Sequence, residues 1–133
     1  MRATLISGPA SPRKGHFVQS TFEALIAQGD AIDVTAHARK HFPIGRVAID
    51  ATVYEQFVAW THSAMRRHLI FLEETGRLHD LLHSASDVQR HDCPAEFVHR
   101  SLACDADTSQ ATRHSFVLDG LDSPASPSWL IRQ

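Results

Sequence analysis

Cysteine is scarce in this 133-residue chain: Cys93 and Cys104 are its only two. That is too few for the disulfide framework that holds small secreted domains together, so both are expected as thiols in a reducing compartment. A basic excess is missing as well, because 13 Lys plus Arg stand against 15 Asp plus Glu for a formal net charge of -2. Proteins that neutralise a phosphate backbone carry the opposite balance. Lysine occurs only as Lys14 and Lys40, and this arginine-for-lysine bias, with abundant alanine, suggests a GC-rich bacterial or phage genome. Apolar runs break within about six residues, whereas a membrane-spanning helix needs ~20, and the opening Met1–Ile6 lacks a signal-peptide core. One Tyr, two Trp and seven Phe leave no basic-aromatic stripe for single-stranded nucleic acid. A soluble, cytoplasmic protein is expected, with no membrane partner and nothing that asks for nucleic acid.

What is present suits one globular domain: 43% of the residues are hydrophobic and 21% charged, and the length does not comfortably make two domains. Leu5 and Ile6 predict an interior strand at residues 3–7, and Phe17, Phe22, Leu25 and Ile26 recur at helical spacing over 16–28, with Gly29 placed to end the helix. Ile32, Val34 and Ala36 alternate with polar residues as in a half-buried strand, giving a β-α-β opening suited to a parallel, right-handed crossover. Residues 44–49 predict a third strand, with Asp50 at the N-cap of a helix. From Ala51 to Thr75, Tyr54, Val58, Thr61, Met65, Leu69 and Leu72 step at helical intervals, predicting one long helix as the spine of the core, ended by Gly76. Shorter helices are expected at 78–85 and from Cys93-Pro94 onward, then a polar loop at 104–112 and a strand at 114–118. The expected fold is α+β, a small partly mixed sheet of three or four strands covered by the long helix and two shorter ones. The domain would span 1–121, followed by a Pro/Ser-rich tail at 122–133.

Several groups of residues could carry chemistry. Between the first strand and helix, Ser7, Gly8, Ser11, Arg13, Lys14 and Gly15 combine small residues and two cations at a helix N-terminus, where unpaired N–H groups favour a phosphate. Gly15-His16 after Lys14 rules out a Walker A loop. The stretch Leu5-Ile6-Ser7-Gly8 with Ser11-Pro12-Arg13-Lys14-Gly15 resembles the first loop of flavodoxin-like FMN reductases over about a quarter of the chain. The resemblance implies FMN or a phosphate ligand there; Pro9 and Ala10 are insertions into that pattern, and His16-Phe17 replaces its polar residues.

Histidine is abundant, at ten residues. His37/His41 and His79/His83 both have the i, i+4 spacing that places two imidazoles on one helical face, although only the second pair lies on a predicted helix. Zinc held by His79, His83 and Cys93 is chemically sensible, without the Cys-x-x-Cys or His-Glu-x-x-His patterns of familiar sites. His68 falls inside the apolar arc of the long helix and needs a hydrogen-bond partner there. Cys93, at a helix N-terminus near His91, would have its thiolate favoured, and Cys104 reads as inert core. No Gly-x-Ser-x-Gly elbow is present and Glu73-Glu74 lies on a solvated face, so no catalytic set emerges. Trp129, Leu130 and Ile131 follow the proline-rich stretch as an apolar triplet suited to dock on the domain itself or on a partner. The expected function is that of a small accessory or regulatory protein of bacterial or phage type, working through a protein partner or a homo-oligomer. The alternatives are an FMN or phosphate-ligand protein, an oxidoreductase among them, using the Ser7–Gly15 loop, and a zinc-binding domain.

Overall fold

The computed structural model describes residues 21–89, 93–121 and 127–133. The chain runs through α1 (Phe22–Ala27), β1 (Ala31–Asp33), α2 (Thr35–Ala38), β2 (Arg46–Asp50) and α3 (Ala51–Val53), which continues as a π-helical turn over Tyr54–Val58. It then forms α4 (His62–His68), α5 (Glu74–Ser86), β3 (Ala95–Ser101), β4 (Thr112–Leu121) and β5 (Ser128–Arg132). The α+β class is as expected, but the described residues form a five-stranded mixed sheet in the order β1-β2-β5-β4-β3. Only β2 and β5 pair in parallel; the other neighbours are antiparallel. The strand at 3–7 and the Ser7–Gly15 loop lie outside the described residues, and with them the first strand of the β-α-β opening; of its second strand only Ala31–Asp33 is extended, pairing antiparallel with β2, and Thr35–Ala38 is helical.

Burial follows position in the sheet. Val47, Ile49, Phe116, Leu118 and Ile131 face a main core closed by α2, the π turn and α5, while Ala31, Ala48 and Leu130 face a second core with Phe22 and Leu25 of α1. The central strands β2 and β5 are thus covered on both faces, whereas β3 alternates buried and exposed residues as a strand with one wet face does. Gly45, at φ +93°, lets the chain pass Pro127 and Trp129: a Cβ there would lie 2.5 Å from the Pro127 carbonyl oxygen and from the indole ring. Among the described residues no helix is long and apolar enough to cross a membrane.

Four expectations are corrected. Ala51–Thr75 is not one helix: Ala59 is extended, the Thr61 hydroxyl accepts from the Ala64 N–H to cap a new helix, and Leu69 ends that helix in the left-handed region. The apolar spacing runs on across these breaks, but its members part company, with Val58 and Ala64 buried and Leu69 87% exposed. The longest described helix is instead α5, which runs through Gly76. The chain after Cys93-Pro94 is a strand, with Phe97 and His99 inward and Val98 outward. The Trp129-Leu130-Ile131 triplet is no appended tail: it is the middle of β5, between β2 and β4.

Candidate functional site

The break after the π turn exposes backbone carbonyls that need partners. Arg77 of α5 supplies them from within the protein, donating Nε to the Val58 carbonyl (3.0 Å) and Nη2 to that of Gln56 (3.2 Å), while Nη1 donates to the carbonyl of Leu102, just past β3 (2.9 Å). A buried guanidinium at a helix C-terminus also meets the negative end of the helix dipole. Burial pushes its pKa down, yet an arginine stays charged in any folded protein. The same guanidinium lies 4.8 Å from the Trp60 ring centre, and Trp60 stacks on His68. His68 is 5% exposed and shares a 2.8 Å hydrogen bond with the Ser109 hydroxyl through Nδ1. That is the partner which burial of the ring demands, while Nε2 has none.

On this stack stands an apolar ridge. Leu69 has φ +56° and its N–H donates to Met65, and the Ile70 carbonyl accepts from the Trp60 indole N–H at 2.9 Å. Leu69, Ile70 and Phe71 are nevertheless 87%, 39% and 72% exposed, flanked by the exposed Arg66 and Arg67. Three consecutive large apolar residues are held out into water by a backbone that is pinned beneath them. The helical reading of Ala51–Thr75 hid this ridge, since it placed Leu69 among the residues facing the core.

A second group forms where α2 meets α5. His41 Nε2 and His79 Nδ1 are 3.2 Å apart, and ring centres lie 5.9 Å apart for His37–His79, 5.4 Å for His41–His79 and 5.9 Å for His41–His83. Burial first, then the charges of His79, His83 and Lys40, holds the His41 pKa below the ordinary histidine value. The Gln89 side chain donates to the His41 carbonyl and ties the end of α2 to the end of α5. On the neighbouring side of α5, Ser84 Oγ and His99 Nδ1 share a 2.8 Å hydrogen bond, and burial lowers the His99 pKa.

The residues singled out in the sequence are dispersed. His79 and His83 share one face of α5 as their spacing requires, but Cys93 packs at the edge of the main core beside Gly120. Among the described residues no three or more His, Cys, Asp or Glu side chains are already arranged to hold a metal ion. Cys93 precedes the strand β3 and not the N-terminus of a helix. Burial raises the thiol pKa of Cys104, whose Sγ donates to the Glu55 carbonyl. Leu130 and Ile131 are buried and the half-buried Trp129 lies against Phe42, so the triplet belongs to the packing of the domain itself. His41 was absent from the expected metal set because α2 was read as the end of a strand. No family model, curated protein or solved structure matches the chain.

Proposed function

We infer that this chain is a small binding or regulatory domain that engages a protein partner through the Leu69-Ile70-Phe71 ridge. The observation that carries this is the pinned exposure of the ridge. An L-residue in the left-handed region costs about 1–2 kcal/mol that glycine would avoid, and at 87% exposure Leu69 recovers little of it by burial. Stability alone favours glycine there, so the leucine is explained by what it contacts outside the fold. Arg66 and Arg67 on the rim add the chemistry of the partner: an apolar groove with acidic residues around it.

Fully burying a Leu or Phe side chain is worth roughly 1.5–3 kcal/mol, and every 1.4 kcal/mol is tenfold in affinity. Phe71→Asp is therefore expected to weaken capture at least tenfold while leaving the thermal midpoint unchanged, because the side chain touches water rather than core. The test compares proteins recovered with wild-type and Phe71→Asp chains expressed at equal levels in the source cells, together with sedimentation of each purified chain. A species lost with Phe71→Asp supports the surface, and a concentration-dependent dimer lost with the same change identifies the partner as a second copy. Equal recovery and equal sedimentation contradict it.

A further inference from the structure

We propose that His41 and His79 form the nucleus of a binding site for a divalent ion of the zinc, copper or nickel class, completed by His37 and His83. These ions prefer imidazole nitrogen, and two nitrogens held tetrahedrally at ~2.0–2.1 Å from one ion stand roughly 3.3–3.4 Å apart. The His41 Nε2 to His79 Nδ1 separation is 3.2 Å, so the first two ligands are already spaced for an ion. The other two rings are exposed and lie within 5.9 Å of this pair. They can turn about their side-chain bonds without disturbing the core, whereas the main-chain ends of both helices are tied together by Gln89.

The chemistry balances without a redox step or an added reactant. In the metal-free chain one of the two facing nitrogens carries a proton and the other accepts it. On binding, the protonated ring moves its proton to its other nitrogen, both rings stay neutral, and the ion takes the two lone pairs in exchange for two of its waters. His41 then binds through Nε2 and His79 through Nδ1. Neither of the ion pairs among the described residues involves these histidines, so no carboxylate bridge has to be broken. Lys40 acts electrostatically on His41 and opposes any cation there.

The experiment is calorimetric titration of the untagged full chain with zinc chloride in a non-chelating buffer at neutral pH. The expected result is one ion per chain, bound at least tenfold more weakly by His41→Gln and by His79→Gln, more tightly by Lys40→Gln, and equally by His62→Gln on α4. No saturable uptake, or wild-type affinity in His79→Gln, overturns the proposal. Should either glutamine variant fail to fold, imidazole nitrogen chemical shifts of the wild-type chain decide. Zinc must move His41 Nε2 and His79 Nδ1, and shifts confined to other histidines overturn the site.

Discussion

Replacing Arg77 by methionine removes the guanidinium while keeping an unbranched chain of similar length. Its three hydrogen bonds go to the carbonyls of Val58, Leu102 and Gln56, but Gln56 also accepts from the Cys104 N–H at 2.9 Å, so two carbonyls lose their partner. Each orphaned buried carbonyl costs about 1–3 kcal/mol, and the lost stacking on Trp60 adds about 0.5–1 kcal/mol. Relief from burying a charge offsets part of this. The net expectation is a loss of about 2–4 kcal/mol, with Arg77→Lys intermediate because an ammonium cannot span all three carbonyls. For a domain of this size that is a fall in thermal midpoint of roughly 8–16 °C. Urea unfolding followed by far-ultraviolet circular dichroism and by tryptophan fluorescence measures it. A methionine variant within 0.5 kcal/mol of wild type, an interval of about the size expected for a neutral surface change, would refute the view that this cation caps the π turn.

Three further outcomes follow from the same contacts. Leu69→Gly, at φ +56°, should raise stability by up to about 1 kcal/mol, the left-handed strain less the backbone entropy of glycine, while weakening partner capture; unfolding curves that show a loss would contradict the strain. Deleting Ser128–Gln133 removes the strand between β2 and β4 and should abolish the cooperative unfolding transition, so a folded truncated chain would count against the sheet order. Burial lowers the pKa values of His41 and His99 below the unfolded histidine value of 6.5, so the unfolded chain takes up protons first as pH falls. Their contribution is complete above pH ~6.5 and is lost as pH drops below it; His99→Gln should flatten that decline in midpoints measured from pH 7 to 5.

Local chemistry made part of the fold legible. Gly29 has φ +78° just past α1, and the Asp50 carboxylate accepts from the Thr52 and Val53 N–H groups as an N-cap, both as their residue types predict. What misled was periodicity without a second signal. Phe97, Ser101 and Leu102 step at helical intervals, yet Ala95, Phe97 and His99 also alternate, and a polar inward residue hides a strand's buried face. The pairing of Val47 with Trp129 is made between distant parts of the chain, and no local window contains it. His41 and His79 meet only because α2 packs on α5, so each i, i+4 pair was visible but their convergence was not. The ridge was hidden for the opposite reason, since its residues look like core and only the left-handed backbone of Leu69 turns them outward.

The ridge is tested most directly by placing a photo-activatable cross-linker at position 71 in the full chain, with the exposed Thr52 substituted in parallel as a control, and irradiating source cells. A discrete adduct formed from position 71 and absent from position 52, identified as one protein or as a second copy of the chain, is the predicted result. The same adducts from both positions, or none from position 71, would contradict a partner seated on Leu69-Ile70-Phe71.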